Sequence, residues 1–245
     1  MPASFRPEPT PDPALRLLRF VPADRRGVLD ADAFRSLAEE AGRAASDPTV
    51  TLVALLGARP GLFGAGADLE EIARMGPEEA RTFAQSAREV LAAWEALAAT
   101  TVAVVEGACY GGALDLVLAC DLVVARPSAR FGHPGVRRGI VTGWGGTARA
   151  RRRLSEAALH RLFLEGEDLT ASRAHANGLV DLVVHEDEPA LERWLSRWAG
   201  PEGEPLRRLK SVSRAVEGLA LPQALVVEER LGALREADGR RAGRR

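Results

Sequence analysis

A glycine-rich turn at residues 61–72, GLFGAGADLEEI, is the first place where this chain could do chemistry. Gly64 and Gly66 let a ligand approach the backbone, and Asp68 can cap the helix that is predicted to follow. Backbone N–H groups at the start of such a helix are able to bind an anion or a polarised carbonyl oxygen. The third glycine of a dinucleotide-binding motif is missing. We therefore interpret this turn either as an anion or oxyanion site or as a plain strand-to-helix turn.

A second turn, in VEGACYGGALDLVLACDLVVA at 105–125, begins a short apolar helix at the paired glycines Gly111 and Gly112. The helix N-terminus is again a donor site, and the helix dipole adds to its positive potential. Asp115 lies about one turn into this helix, where its carboxylate is either desolvated and functional or a structural partner of nearby N–H groups. One N–H from each of the two turns would suffice to hold the oxygen of an oxyanion or a thioester enolate.

A third glycine-rich segment, ARFGHPGVRRGIVTGWGGTARA at 129–150, places Trp144 directly before Gly145 and Gly146. Such a loop can form the wall of a pocket without supplying a catalytic group. His133 lies in the same segment, and the ordinary histidine pKa of about 6.5 suits acid–base catalysis. A structural histidine is the other interpretation. We therefore keep His133 as an alternative acid/base.

Other chemistries lack the residues that they need. Lys210 is the only lysine, and its surroundings are not glycine-rich, so neither Schiff-base chemistry nor a phosphate loop ending in Gly-Lys is indicated. The sequence has no G-x-S-x-G elbow, no H-E-x-x-H and no clustered acidic motif, which predicts a protein without a metal site. A formal net charge of −1 gives no general attraction to nucleic acid.

The elements predicted around these turns indicate an α/β fold. Apolar, β-branched runs predict buried strands at 50–57, 101–107, 121–125 and 178–184. Helical periodicity predicts a helix at 30–45, capped by Asp30, and a long amphipathic helix at 78–98. Strands joined by helices are typical of a parallel sheet, because a parallel strand needs a crossover connection.

Towards the end of the chain the pattern is helical only, at 188–199, 205–217 and 222–237. We therefore divide the chain into a core domain at 1–190 and a helical oligomerisation region at 191–245. Residues 1–13 are rich in proline and are expected to be disordered or loosely draped, and the basic end of the chain is expected to be frayed. A helical region of about 50 residues buries little apolar surface by itself. We expect it to pack on the core or on a neighbouring subunit.

The two cysteines, Cys109 and Cys120, are too few for a disulfide framework and wrongly spaced for zinc. This composition indicates a reducing compartment. The first residues carry prolines and acids where a signal peptide needs an apolar run, and no later run reaches about 18 uncharged apolar residues. The expectation is a cytoplasmic protein that is neither exported nor inserted in a membrane.

Four blocks of the sequence resemble, in order, the motifs of the enoyl-CoA hydratase/isomerase (crotonase) superfamily. The blocks are FGAGADL (63–69), EGACYGGALDLVLACDL (106–122), FGHPG with GIVTGWGGTARA (131–135 and 139–150) and ASRAHANGLVDLVV (171–184). The resemblance covers residues 15–240, roughly, and implies a crotonase-like spiral of ββα units with a C-terminal helical region. It also implies a homotrimer or hexamer, an acyl-CoA or acyl carrier protein thioester as substrate, and no cofactor beyond the coenzyme A of that substrate.

Carried over residue by residue, the resemblance places the thioester oxygen between the N–H groups of Ala67 and Gly112. Asp115 takes the place of the first of the two catalytic glutamates that the family's hydratases use. Roles in substrate binding fall on the neighbours of these donors, on the third glycine-rich segment and on the loop ADRRGVLD: Ala65, Gly66, Asp68, Gly111, Gly135, Trp144, Arg25 and Arg26. In that loop, Arg25 or Arg26 would meet the phosphates of coenzyme A.

The second catalytic glutamate of the hydratases falls at Gly135 and is therefore missing. A single carboxylate suits proton transfer better than the addition of water, and Asp115 is shorter than a glutamate by one methylene. The sequence thus predicts an acyl-CoA enzyme that stabilises a thioester enolate with Asp115 as its single acid/base and that hydrates weakly. Decarboxylation, C–C hydrolysis or a biosynthetic step in the same pocket is one alternative. A paralogue that binds acyl-CoA without converting it is another.

Overall fold

The structure, a computed structural model, describes residues 1–185, 190–199 and 203–232. Within these ranges the chain forms twelve strands and ten α-helices. The strands are β1 (Ser4–Glu8), β2 (Leu15–Val21), β3 (Val28–Leu29), β4 (Leu52–Leu56), β5 (Gly61–Gly64), β6 (Gly66–Ala67), β7 (Thr100–Val105), β8 (Gly107–Tyr110), β9 (Leu122–Ala125), β10 (Arg130–Gly132), β11 (Leu169–Thr170) and β12 (Leu182–Val183). The helices are α1 (Ala31–Ser46), α2 (Leu69–Arg74), α3 (Pro77–Glu95), α4 (Gly112–Leu118), α5 (Gly146–Arg153), α6 (Glu156–Leu159), α7 (Ala171–Ala176), α8 (Ala190–Ala199), α9 (Gly203–Ala215) and α10 (Leu221–Gly232).

Two shorter helical features complete the described elements, a 3₁₀ turn at Pro134–Arg138 and a π-helical segment at His160–Leu164. None of the helices in the described ranges has the length and the apolar run that crossing a membrane would take.

Two sheets organise the core. The larger has the strand order β1-β2-β4-β7-β9-β12, and all neighbours are parallel except β1, which is antiparallel to β2. The smaller has the order β11-β10-β8-β5, with β8 parallel to both β5 and β10. A short parallel pair, β3-β6, stands apart from both. The α/β fold predicted from the sequence is therefore confirmed.

The strands and helices follow one another as ββα units. The strands β4, β7 and β9 each join the larger sheet, and the strands that come next, β5, β8 and β10, each join the smaller one. A helix follows each pair, first α2, then α4 and then α5. The three glycine-rich segments contain these strand-to-helix connections. Because the unit repeats, the strand-to-helix connections of the three units all contribute to the wall of one cavity.

The predicted core strands are confirmed, with bounds that are mostly shorter than the apolar runs. They are observed at Leu52–Leu56, Thr100–Val105, Leu122–Ala125 and Leu182–Val183. The first predicted helix spans Ala31–Ser46, and Asp30 caps it by accepting a hydrogen bond from the Ala33 N–H at 2.8 Å. The long amphipathic helix spans Pro77–Glu95 and begins at a proline, which fits the first turn of a helix.

The N-terminus departs from the sequence-based expectation, because the disorder predicted for residues 1–13 is wrong. The chain forms β1 there, and Phe5 is 3% exposed and stacks on Phe20 with ring centroids 5.2 Å apart. The Phe5 N–H donates to Ser36 Oγ at 2.9 Å, and the Ser36 hydroxyl donates to the Phe5 carbonyl at 3.1 Å. Proline content suggested disorder, but Pro7 lies on an edge strand, where a residue without an N–H is tolerated.

Two of the C-terminal helices pack on the core. α8 covers one face of the larger sheet, where Leu195 and Ala199 are buried among the side chains of β4 and β7. α9 is held by Lys210, whose ammonium donates to the Ala99 carbonyl at 2.7 Å and forms a salt bridge with Asp121. Burial lowers the pKa of Lys210, although the negative charge of Asp121 opposes this.

The helical character predicted for the C-terminal region is confirmed within the described residues. The segments 186–189, 200–202 and 233–245 lie outside them, and so does the basic end of the chain that was expected to be frayed. The domain boundary near residue 190 stays a prediction.

Replacing Lys210 by Met is expected to lower the free energy of unfolding by about 1–3 kcal/mol, because the Asp121 carboxylate and the Ala99 carbonyl would lose a buried donor. Urea unfolding would report this as a lower midpoint with an unchanged slope. Arg151→Met is the control, since the Arg151–Glu156 pair is exposed and contributes at most about 1 kcal/mol. Equal losses in both variants would show that Lys210 does not anchor α9.

Candidate active site

A cavity of about 400 Å³ opens where the three glycine-rich segments meet. Its wall includes many of the residues singled out in the sequence: Ala65, Ala67, Gly111, Gly112, Asp115, His133, Gly135 and Trp144. Other candidates do not line it: Gly66, Asp68, Arg25 and Arg26. Most of the remaining wall is apolar, with Leu69, Ile72 and Phe83 among its side chains, as is usual for a small-molecule site.

The first and second turns touch through their backbones at Gly66 and Gly112. Gly66 has a φ of +88°, a conformation that favours glycine. A Cβ built on Gly66 would lie 2.6 Å from the Gly112 nitrogen and 2.7 Å from the Tyr110 carbonyl oxygen, so no side chain fits between the two turns. This contact brings Gly112 and Ala67, the residue after Gly66, to the wall of one cavity.

Trp144 covers the start of α4, as a wall of the cavity. The ring lies so close to Gly112 that a Cβ on that residue would overlap it. Trp144 is 4% exposed and packs edge-on against Phe34 and Phe83, with centroid distances of 4.7 and 5.8 Å. The position of Gly112 therefore depends on an indole that is itself fixed by two aromatic neighbours.

Asp115 lies on α4 in the cavity wall and is 1% exposed. Its Oδ2 accepts a hydrogen bond from the Thr142 hydroxyl at 2.7 Å. Its Oδ1 lies against Gly146, the first residue of α5, where a Cβ would overlap it. Oδ1 nevertheless accepts no hydrogen bond from the residues that the structure describes. The interpretation of Asp115 as a structural acceptor of neighbouring N–H groups therefore has no support, and one buried carboxylate oxygen remains available at the cavity.

His133 lies beside this carboxylate and is 7% exposed. Its Nε2 is 3.3 Å from Oδ1 of Asp115, but the two atoms are not aligned for a hydrogen bond, and neither has another partner in the described part of the chain. The imidazole stacks on Phe163, with centroids 4.7 Å apart and planes inclined by 25°. Phe163 belongs to the π-helical segment, a feature that is frequent at functional sites. Asp115 and His133 thus form a pair of ionisable side chains at the cavity.

Two further ionisable groups lie near this pair and stay protonated. Tyr110 lines the cavity, and its hydroxyl donates to Oδ2 of Asp168 at 2.7 Å. Burial, together with this hydrogen bond, raises the pKa of Tyr110 to about 12. Burial also raises the pKa of the Cys109 thiol well above its ordinary range. A thiolate nucleophile is therefore not available, because the thiolate and not the thiol reacts.

The arginines of the loop at 23–30 are not among the residues that line the cavity. Arg26 forms salt bridges with Asp24 at 2.7 Å and with Asp68 at 2.8 Å, and so ties this loop to the first glycine-rich turn. The hydrogen bond to Asp24 is the main cause of its raised pKa. Asp68 also caps α2, as predicted, by accepting from two of its N–H groups at 3.0 and 3.2 Å. Arg25 is not on the cavity wall either.

Gly135, the position at which the second glutamate of the hydratases would fall, forms part of the cavity wall beside His133. A Cβ built on Gly135 would lie 3.0 Å from the Ile140 carbonyl oxygen and 3.6 Å from Nδ1 of His133. The glycine therefore sits in a narrow place between the 3₁₀ turn and the loop that follows it.

Sequence reasoning missed several side chains of this site. Thr142, which holds Asp115, stands inside the third glycine-rich segment, and a hydroxyl between glycines was its only signal. Phe163 lies in none of the blocks. Arg138 lines the cavity but was taken as part of a loop. Their roles arise from contacts that the chain makes only when it is folded.

Comparison with known proteins adds a family match. A family model described as enoyl-CoA hydratase/isomerase matches residues 28–237. The chain is similar to the 2,3-dehydroadipyl-CoA hydratase of Escherichia coli (strain K12), with 33% identity over 209 residues that cover 84% of this chain and 80% of that protein. It is also similar to a probable mitochondrial enoyl-CoA hydratase of Arabidopsis thaliana, with 34% identity over 163 residues that cover 66% of this chain and 54% of that protein.

The share of the relatives that is matched varies. The chain spans only 30 to 62% of the length of three curated relatives, the Arabidopsis protein among them. Among solved structures, it is similar to an enoyl-CoA hydratase from Thermoplasma volcanium, with a TM-score of 0.88 and 22% identity over 98% of this chain and 97% of that one. The likeness to such structures confirms the crotonase-like fold that was predicted from the sequence blocks.

Proposed function

The chain belongs to the enoyl-CoA hydratase/isomerase family, and from this membership we propose that it binds an acyl-CoA thioester and stabilises the enolate of that thioester, with Asp115 as the acid/base. The observation that carries the proposal is Oδ1 of Asp115, which is buried without a hydrogen-bond partner among the described residues. This oxygen belongs to the wall that also contains Ala67 and Gly112. A buried carboxylate next to two backbone donors is what removal of a proton beside a thioester requires.

Support for an oxyanion hole comes from the start of α4. Gly112 is the first residue of that helix, so its N–H has no acceptor within the helix, and the helix dipole adds positive potential at this point. Ala67 reaches the same wall through the contact of Gly66 with Gly112. A thioester oxygen between the two N–H groups would gain negative charge as the enolate forms. One donor of this kind typically speeds a reaction by about 10²–10³-fold.

Asp115 would take a proton from the carbon next to the thioester carbonyl. The Thr142 hydroxyl fixes Oδ2 and leaves Oδ1 to the substrate. The electron pair of the C–H bond forms the enolate, and the backbone N–H groups stabilise the negative charge that develops on the thioester oxygen. Because the wall is mostly apolar, little water competes for this oxygen, and the interaction with the donors is stronger than it would be in solution.

Decarboxylation in the same pocket is the second candidate function. Gly135 brings no acid to its part of the wall, and Arg138 also lines the cavity. A carboxylate on the substrate would therefore meet a cation there. Loss of CO₂ from such a substrate leaves the same thioester enolate, which the same backbone donors would stabilise.

Incubation with a mixed acyl-CoA library in deuterated water, followed by mass spectrometry, tests the proposal. We expect deuterium uptake at the α-carbon without a net addition of mass. Release of CO₂ or of a free acid would support decarboxylation or C–C hydrolysis instead. Binding of acyl-CoA without any conversion would support a non-catalytic paralogue. Acyl carrier protein thioesters belong in the same panel, since the sequence leaves the carrier open.

Hydration of crotonyl-CoA by the unmodified protein is expected to be weak, because Gly135 stands where the second glutamate of the family's hydratases would fall. Gly135→Glu is expected to raise the rate of hydration. The new side chain requires the loop to yield by a few tenths of an ångström, since its Cβ would lie 3.0 Å from the Ile140 carbonyl oxygen. Gly42→Glu, at an open position on α1, is the control. Robust hydration that Asp115→Asn does not affect would contradict the expectation.

A homotrimer or hexamer is proposed for the assembly. Five large apolar side chains of α9, α10 and the segment between them are 40 to 71% exposed: Leu209, Leu219, Leu221, Leu225 and Val226. Burial of these side chains between subunits would remove apolar surface from water. Light scattering at micromolar concentration should give a trimer or hexamer, and Leu225→Asp should shift it towards a smaller species. A monomeric unmodified protein would refute the proposal.

The location is proposed from the cysteines. Cys109 and Cys120 are both buried and unpaired, which is compatible with a reducing compartment such as the cytoplasm. The Arabidopsis relative carries the word mitochondrial in its name, so fractionation of the source cells is the direct test.

A further inference from the structure

We infer that Arg138 is a specificity residue of this cavity and that it binds the free carboxylate of an acyl thioester whose acyl chain ends in a second carboxyl group. The inference rests on the proposed function, to which it adds a substrate class, the dicarboxylic acyl thioesters. The thioester end lies at the backbone donors and Asp115, and the other end lies at the Arg138 guanidinium. The free carboxylate is an anchor and stays on the product.

The first observation concerns the charged groups of the cavity wall. Of the wall residues that the structure describes, Arg138 is the only arginine or lysine and Asp115 is the only acid. The rest of the wall is mostly apolar, so a carboxylate that entered without a partner would lose its hydration at a large cost. Asp115 repels such a group, and His133 faces Asp115 at 3.3 Å. A second carboxylate on the substrate is therefore most favourable at Arg138.

The second observation is that the Arg138 side chain forms no hydrogen bond or salt bridge with any residue of the described ranges. Two arginines that contact this region from outside the cavity are bonded to the protein. Arg149 forms a salt bridge with Glu95 at 2.7 Å, and Arg88 donates to the Gly143 carbonyl at 2.7 Å. The planar guanidinium of Arg138 thus keeps its N–H donors for a ligand, and their geometry matches a carboxylate.

The third observation is the position of Arg138 at the end of the 3₁₀ turn Pro134–Arg138. Residues three apart on such a turn lie on the same side, so Arg138 shares a side with Gly135, and both line the cavity. The Ile140 N–H donates to the Gly135 carbonyl at 2.9 Å and closes the turn. A glutamate at position 135 would stand next to the guanidinium and pair with it. Because the residue is a glycine, the guanidinium is left to a ligand.

The exposure of Arg138 sets the size of the effect. Its side chain is exposed and also lines the cavity, so it lies where the cavity meets the solvent. Water solvates the guanidinium in the free protein, and a bound carboxylate replaces part of that water. A hydrogen bond between charged groups of this kind raises affinity by about 10-fold or more. Salt screens such a contact, so the gain should fall as the ionic strength rises.

The charge of Arg138 also favours retention of the carboxylate over its loss. Decarboxylation moves the negative charge from the carboxylate to the thioester oxygen as CO₂ leaves. A guanidinium that binds the carboxylate stabilises the starting state and loses its partner in the transition state, so it slows this step. Removal of an α-proton leaves a remote carboxylate unchanged. Arg138 is therefore suited to an anchor that takes no part in the reaction, and not to the carboxylate that the second candidate function would remove.

Calorimetric titration with adipyl-CoA and with its ω-methyl ester tests the inference, because the two ligands differ in charge only at the far end of the acyl chain. We expect the unmodified protein to bind the acid at least about 10-fold more tightly than the ester. Arg138→Met should abolish this preference. Arg137→Met is the matched control and should keep it, because Arg137 is an exposed residue of the same turn that does not line the cavity. Glutaryl-CoA and suberyl-CoA, with their esters, extend the test to shorter and longer chains.

Gly135→Glu and Gly135→Gln test the same contact without removing Arg138. Both side chains need the same room, since a Cβ at this position would lie 3.0 Å from the Ile140 carbonyl oxygen. Only the glutamate brings a charge that competes for the guanidinium. The preference for the acid over the ester should therefore be about 10-fold lower in Gly135→Glu than in Gly135→Gln. Equal preferences in the two variants would contradict the inference.

The other outcomes separate the anchor from the proposed function. Equal affinity for acid and ester at every chain length, or a preference that survives Arg138→Met, would overturn the inference. A parallel loss for acid and ester in Arg138→Met would place the guanidinium on the coenzyme A phosphates and would also overturn it, as would release of CO₂ from malonyl-CoA that Arg138→Met abolishes. The α-exchange of butyryl-CoA in deuterated water is measured alongside. Its absence would contradict the proposed function, whereas exchange without any preference for the acids would overturn the inference alone.

Discussion

Asp115→Asn should lower α-proton exchange of acyl-CoA by about 10²–10⁴-fold, the usual contribution of a positioned acid/base. Asparagine has nearly the same shape, and Thr142 could still hydrogen-bond its oxygen, so the cavity would survive. What is lost is the ability of Oδ1 to accept a proton. The dissociation constant for the thioester should change little, because the backbone donors and the apolar wall remain. Exchange is followed by mass spectrometry in deuterated water.

Asp168→Asn is the matched control for this loss. Asp168 is another carboxylate near the cavity, but it accepts a hydrogen bond from the Tyr110 hydroxyl and does not line the wall. Its amide can still accept that hydrogen bond, so exchange should stay close to that of the unmodified protein. Equal losses in the two variants, or an Asp115→Asn variant with full exchange, would remove Asp115 from its assigned role.

Gly112→Ala is expected to cost about 10²–10³-fold in the same exchange reaction, the usual effect of losing one oxyanion donor. The added methyl group would overlap the Trp144 ring, which packs edge-on against Phe34 and Phe83. Either the indole or the start of α4 must then move, and the Gly112 N–H moves with it. Overpacking of this kind also lowers the free energy of unfolding by about 1–3 kcal/mol.

The double variant Gly112→Ala/Trp144→Ala tests whether the overlap with the indole causes the loss of stability. Removal of the indole makes room for the new methyl group, so the methyl should cost less stability in a Trp144→Ala background than in the unmodified protein. Gly42→Ala is the control, because a Cβ there would meet nothing within 4 Å on the exposed side of α1, and it should raise stability by about 0.4–1 kcal/mol. Additive effects of the two substitutions would show that Trp144 does not fix Gly112.

Much of the fold was predictable from short-range features of the sequence. Strands such as β4 and β7 are buried on both faces, so they read as continuous apolar runs. Asp30 and Asp68 bond N–H groups only two or three residues away, so their capping roles follow from local order. Asp115 and Gly112 were found because they lie three residues apart in one block. The prediction of an oxyanion hole at Ala67 and Gly112 remains a proposal.

What sequence reasoning missed depends on contacts between distant residues. Thr142 meets Asp115 across 27 residues, and Phe163 reaches His133 from a segment that no motif marks. The salt bridge of Arg26 with Asp68 was missed because the two residues lie 42 positions apart, in different turns, and the contact of Arg26 with a phosphate stays a prediction. The strand β1 was missed since its proline content outweighed the burial of Phe5, which only the sheet provides.

β1 is an edge strand of the larger sheet, and the backbone groups that it leaves open affect how readily the protein aggregates. An exposed strand edge is a template on which another chain can add a strand and start to aggregate. On β1 the backbone groups that face away from β2 alternate along the strand, and those of Phe5 are already bonded to Ser36. The next outward position is Pro7, which has no N–H to offer. An added strand would therefore find no free N–H donor at either position, so Ser36 and Pro7 together make the pairing of another strand with this edge less favourable.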